Sequence, residues 1–172
     1  WFASAGRAPS VTLLCDRRQQ TFSWLEAEDI PIGPGWQMEI NFAPGWFGNG
    51  FLMDNYGSQF LVYSFGSIFR SDQVYVWART FKRLVDNSPA YMGVNDTILP
   101  FGDTQEDQLN QWIWERIGPF PNEEILRMSI ARPYNDDVQG YIALFFDTFV
   151  IAENPNFSPA TDLTEPMPLQ EF

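Results

Sequence analysis

Gln73-Val-Tyr-Val-Trp-Ala-Arg-Thr-Phe81 decides the fold. Small apolar residues alternate along it with aromatic or polar ones. Successive side chains of a strand point to opposite faces, so Val74, Val76 and Ala78 line one face and Tyr75, Trp77 and Arg79 the other.

The period recurs outward from this stretch. Gly35–Phe42 places Trp36, Met38, Ile40 and Phe42 on one face, and Gln59–Phe65, Ile125–Ala131 and Gln139–Phe146 alternate as well. Val11–Cys15, Thr21–Leu25 and Phe149–Ala152 are shorter candidates. Turn residues separate them: Pro31, Gly33, Pro34, Gly35, then Pro44-Gly45 and Gly48-Asn-Gly50, and later Asn135-Asp-Asp137 and Gly140. Many short strands with regular breaks, without an internal repeat or alternating helices, predict an all-β antiparallel sandwich. One domain is expected over residues 1–153. Residues 154–172, with four prolines and no periodicity, read as an extended strap or linker. Thr104–Trp114 fits either a short helix, with Thr104 as N-cap and Asp107 at N3, or a polar loop leading into a strand.

Composition narrows the chemistry. The 172 residues are 45% hydrophobic and 17% aromatic, enough for one filled core. Histidine is absent, which excludes a His-based triad and removes the commonest transition-metal ligand. Cys15 is the only cysteine, so no intrachain disulfide forms. In Val11-Thr-Leu-Leu-Cys15 it reads as a small buried hydrophobe. A lone cysteine suits a cytoplasmic protein, or an extracellular one without disulfides. The net charge of −12 makes nucleic acid and anionic lipid poor partners. No apolar run approaches the ~20 residues that span a bilayer, so no membrane insertion is expected. A start at Trp1 reads as a processed chain or a fragment.

Gly45, Gly48 and Gly50 lack the helix and lysine of a phosphate loop and fit a hairpin connection. Glu26, Glu28 and Asp29 read as a solvated turn, because calcium-loop spacing is missing. Glu39 and Glu115 are the candidates for a glycosidase carboxylate pair. Asn95-Asp-Thr97 and Asn156-Phe-Ser158 are glycosylation triplets that matter only in a secreted chain. In Gln111-Trp-Ile-Trp-Glu-Arg-Ile-Gly-Pro-Phe-Pro121 an indole stands three residues before a carboxylate. An indole face packs on the C–H patch of a pyranose, and a carboxylate accepts from its hydroxyls. On the alternative reading, Trp112 and Trp114 anchor the core and Glu115–Arg116 is an exposed pair.

In order, Gly33-Pro-Gly-Trp36, Gln59–Phe65, Asp72–Phe81, Val94-Asn95, Trp112-x-x-Glu115, Pro119-Phe-Pro121, Ile125–Ile130 and Tyr141–Ala152 resemble the galectin pattern across roughly three quarters of the chain. The resemblance implies a galectin- or concanavalin-like jelly roll that binds glycan on one sheet face without catalysis. It implies that Trp112 stacks on the sugar, that Glu115 and Asn95 bind hydroxyls, and that Arg79 orients the acid. Galectins carry His, Asn and Arg at alternate positions of the central strand, whereas this chain has Tyr75, Trp77 and Arg79, so that Tyr75 and Trp77 are expected to add aromatic sugar-binding platforms on the concave sheet. Ile117 replaces the arginine two residues after the Glu, and an acidic insertion, Gly102–Leu109, precedes Trp112. The expected partner is therefore a glycan, galactoside-like or other, with no cofactor and no metal; a homo-oligomer is compatible. The rival readings are an assembly protein such as a capsid jelly-roll subunit and, third, a glycoside hydrolase.

Overall fold

The computed structural model describes residues 12–15, 21–41, 43–54, 58–83, 90–102, 105–132 and 144–162, without the side chains of 12–15, 21, 58, 59, 161 and 162. The burial of Cys15, the turn residues of 135–140 and the Thr104 cap lie outside this description.

Among the described residues, eleven strands form two antiparallel sheets. They are β1 (Thr12–Cys15), β2 (Thr21–Glu26), β3 (Trp36–Glu39), β4 (Phe51–Asp54), β5 (Ser58–Gly66), β6 (Gln73–Lys82), β7 (Ala90–Val94), β8 (Thr97–Phe101), β9 (Trp112–Pro121), β10 (Ile125–Arg132) and β11 (Leu144–Ala152). The smaller sheet runs β5-β10-β7-β8. In the larger sheet, β11 pairs with β6 along one side, and β9 flanks β6. The other side of β11 is shared end to end. Phe145 and Phe146 pair with β4, while Thr148–Ala152 pair with β2; β3 and β1 lie outside these.

The face assignment of Gln73–Phe81 is the one the alternation dictates. Val74, Val76 and Ala78 are buried between the sheets with Phe146, Phe149 and Ile151 of β11 and Leu126, Met128 and Ile130 of β10. Tyr75, Trp77 and Arg79 point away from the second sheet, and Thr80 points inward with Ala78.

β11 is buried at all nine positions, which marks it as the centre of the fold. Sequence alternation divides it into two pieces because Asp147 interrupts the apolar run. The strand instead continues through Asp147, where the register against β6 shifts between Phe146 and Thr148. Such a bulge absorbs one residue and keeps the following side chains on their proper faces.

Of the stretch 104–114, the described residues 105–114 form a single 3-10 turn, Glu106–Gln108, followed by the start of β9. Trp112 pairs with Phe81 and Ile113 with Thr80, so they point to opposite faces and share no helical stripe. Bulky and β-branched residues against a fully paired neighbour favour the strand. The described part of the C-terminal segment, 154–162, packs on the sheet. Phe157 is 1% exposed and its ring lies 5.3 Å from Phe22. A four-residue helix, Pro159–Asp162, follows.

One buried ion pair links the sheets. Arg132, at the end of β10, lies 3.1 Å from Asp54, at the end of β4, and both side chains are fully buried. Asp54 also accepts the Leu144 backbone N–H. Removing one partner leaves an uncompensated buried charge, so Arg132→Ala should cost about 3–5 kcal/mol in denaturant unfolding. A cost below about 1 kcal/mol, typical of an exposed pair, would show that the contact is not structural.

Candidate functional site

The outward face of the larger sheet carries most of the chain's tryptophans, and the registers place its side chains in rows. One row runs Glu26, Thr148, Arg79, Trp114 across β2, β11, β6 and β9. The next runs Trp24, Val150, Trp77, Arg116, and beyond it lie Phe22, Ala152 and Tyr75. On the other side stand Phe145, Phe81 and Trp112.

Two apolar clusters result. Phe22, Val150, Ala152 and Phe157 form one, with half-buried Trp24, Trp77 and Trp114 packed on it. Ala43, Phe51, Phe81 and Phe145 form the other, with Trp46, Met53 and Trp112. The polar row lies between them. Glu26 accepts from the Trp24 indole at 2.7 Å and the Thr148 hydroxyl at 2.8 Å. Arg79 pairs with the buried Asp147 carboxylate and donates to the Gly45 carbonyl at 3.0 Å. Its guanidinium stands 3.9 Å from the Phe47 ring centre and 5.2 Å from that of Trp112. Cation–π contact and charge pairing thus hold one side chain from several directions.

The β3–β4 connection folds over this row. Asp147 accepts the Phe47 amide at 2.9 Å, Glu28 accepts the Asn49 amide at 2.6 Å, and the Trp112 indole donates to the Ala43 carbonyl at 3.1 Å. Gly48 has φ of 63°, and a Cβ there would run into the Glu28 carboxylate. The glycines around Gly48 therefore serve a close-fitting connection. The acids at 26–29 are not a solvated turn: Glu26 is 7% exposed, and Glu28 anchors this connection. The local sequence showed the acids but not the aromatic roof that Phe47, Trp24 and Trp114 place above them.

Burial shifts the acids on this side of the sheet. Burial raises Glu26, against the Trp24 and Thr148 hydrogen bonds. Burial pushes Glu28 up to about 7, opposed by the Asn49 amide. Burial likewise pushes Asp147 up to about 7, opposed by Arg79 and the Phe47 amide.

The expected site residues separate. Tyr75, Trp77, Arg79 and Trp112 share the outward face. Trp112 is flanked by Phe51 at 5.6 Å and Phe81 at 5.3 Å, so its ring helps to build the second cluster. Glu115 pairs in register with Ala78, faces the space between the sheets, and accepts from Thr80 at 3.1 Å. Asn95 belongs to the smaller sheet. It sits in the two-residue β7–β8 turn with φ of 54°, and its side-chain oxygen accepts the Arg127 amide at 2.9 Å. Asn-Asp between alternating apolar stretches is itself a hairpin signal, which accounts for that placement. Glu39 lies outward on edge strand β3, opposite Phe51, so it and Glu115 do not face each other across a cleft. Among the described residues, no group of three or more His, Cys, Asp or Glu side chains is placed to hold a metal ion.

No family model matches the chain, and no curated protein matches it by sequence. Solved structures do match. The CBM36-1 domain of a multidomain xylanase from the hindgut metagenome of Trinervitermes trinervoides aligns with a TM-score of 0.51 at 13% identity, over 76% of this chain and 95% of that one. A carbohydrate-binding module CBM36, solved with calcium and xylotriose, gives 0.50 at 13% identity, over 73% and 96%. A ruminal GH26 endo-β-1,4-mannanase gives 0.55 at 16%, over 80% of this chain but 27% of that one. At these identities the likeness is one of fold. It bears out the antiparallel β-sandwich that the galectin resemblance implies, in the form seen in carbohydrate-binding modules.

Two measurements test this face. Trp112→Ala should lower stability by about 3 kcal/mol in denaturant unfolding, near the lower end for tryptophan truncation, because the ring is only half-buried. An unchanged midpoint would make Trp112 a free platform. The raised acids set a pH dependence. A carboxyl whose folded pKa exceeds its unfolded value of about 4 stabilises the fold below that value, and the contribution is lost as pH rises through about 7. The melting temperature should therefore fall between about pH 5 and pH 8, and Glu28→Gln should flatten the fall. A melting temperature that rises across this window would contradict the assignment.

Proposed function

We propose that the chain is a non-catalytic carbohydrate-binding module whose sugar surface is the outward face of the larger sheet. The carrying observation is the pair Tyr75 and Trp77, two half-buried aromatics at alternate positions of β6 on that face. The exposed Arg116 guanidinium lies 5.5 Å from the Tyr75 ring centre and is tethered to the Pro155 carbonyl at 2.7 Å. Aromatic rings with a positioned guanidinium suit a ligand that has apolar C–H patches and hydroxyl rims. The sandwich likeness to carbohydrate-binding modules supports the same reading.

Two forms of this proposal differ in their contact residues. A galactoside form, drawn from the galectin resemblance, uses Trp112 for stacking, with Arg79, Glu115 and Asn95 on the hydroxyls. A form suited to another glycan, such as the xylotriose bound by one structural neighbour, uses Tyr75, Trp77 and Arg116. The second is favoured here. Glu115 and Asn95 lie on different surfaces from the aromatic pair, and the Trp112 ring is already flanked. The glycosidase reading loses its carboxylate pair for the same geometric reason.

Titration calorimetry against xylo-, manno- and galacto-oligosaccharides decides between them. Tyr75→Ala and Trp77→Ala should each weaken binding about tenfold or more, equivalent to about 1.4 kcal/mol. Tyr75→Ala should leave the melting temperature nearly unchanged, and Glu115→Gln should bind like the parent. Binding lost in Glu115→Gln but retained in Tyr75→Ala would favour the galactoside form. No binding of any of the three series by folded protein would remove the proposal.

A further inference from the structure

The sandwich leaves five strands with a partner on one side only among the described residues: β1, β3, β9, β5 and β8. Unpaired edges invite intermolecular pairing, and proteins blunt them by shortness, charge, proline or bulges. β1 and β3 have four residues each, and β3 ends in Glu39. β9 carries Glu115, Arg116, Pro119 and Pro121, with a register shift against β6. β8 has five residues including Pro100, and it lies close to β9.

β5 is less protected: its irregularity against β10 is confined to the Ser58–Leu61 end. It runs nine residues, Ser58–Gly66, without a charge or a proline. Its register against β10 is continuous from Leu61 to Gly66. Two of its side chains, Phe60 at 47% and Val62 at 39%, are exposed on the outward face of the smaller sheet. The neighbouring outward residues of β5 and β10 are Ser64, Ile125, Arg127 and Ser129. This strip has no acid, and its one charge is positive, in a chain of net charge −12. Two copies meeting here bring no carboxylates together, whereas most other surfaces of so acidic a chain repel their like.

We propose that the β5 edge pairs with the β5 edge of a second copy of this chain, antiparallel about a two-fold axis near Val62. The two smaller sheets then become one continuous sheet. Val62 meets its own symmetry mate, and Phe60 meets the mate's Ser64. The contact is isologous and closes after two copies. It leaves the outward face of the larger sheet open on both.

Sedimentation velocity of the full chain over a roughly hundredfold concentration range tests this. The parent should form a dimer. Val62→Lys, whose side chain points to solvent, should be monomeric across the range with an unchanged circular dichroism spectrum. Ile98→Lys, on β8 at the far side of the same sheet face, should dimerise like the parent. A monomeric parent at every concentration overturns the proposal. So does dissociation by Ile98→Lys equal to that by Val62→Lys, which would mean that sheet faces stack. Should Val62→Lys fail to fold, hydrogen exchange of the parent decides: β5 amides must become more protected as concentration rises, and an unchanged rate overturns the pairing.

Discussion

Asp147 and Arg79 form the contact on which the outward half of the molecule depends. β11 is the most buried strand, and a carboxylate in its middle would be costly without partners. The bulge turns Asp147 outward, Arg79 on the adjacent strand meets it, and the Phe47 amide completes its shell. The guanidinium then organises what surrounds it. It holds the Gly45 carbonyl, lies against Phe47, and separates the two aromatic clusters. The β3–β4 connection, the tryptophan roof and the polar row are thus one construction built around a buried pair. The raised carboxyls of Glu26, Glu28 and Asp147 follow from that burial.

The inner half of the fold was legible because period-two alternation depends on one residue's neighbours. Val74, Val76 and Ala78, and Leu126, Met128 and Ile130, fall where alternation puts them. β11 was legible only in pieces, since alternation fails where both faces are buried and where a bulge shifts the phase. The outward face was less legible still. Its clusters join Phe22, Trp77, Trp114 and Phe157, residues far apart in sequence. No local pattern distinguishes a tryptophan that awaits a ligand from one that meets Phe157. The same limit explains Glu115 and Asn95. Trp-x-x-Glu looks like a stacking ring with its acid in a linear string, but an odd spacing on a strand puts the two on opposite faces.

β2 and β4 hang from β11 through very unequal ladders. Among the described residues, five residue pairs join β2 to it and two join β4. The β3–β4 hairpin is anchored at its base by Trp36 and Leu52 in the core and by the Asp54–Arg132 pair, and its connection is held over the sheet by the Ala43 carbonyl, the Phe47 amide, and the Asn49 amide on Glu28. A connection held by a few hydrogen bonds has its own local opening equilibrium. Lifting the connection alone would wet Trp112, Phe81 and Arg79 while Trp36 and Leu52 kept the sheet-to-sheet core dry, so the exposed area of the aromatic face is set by that loop and not by the sandwich alone.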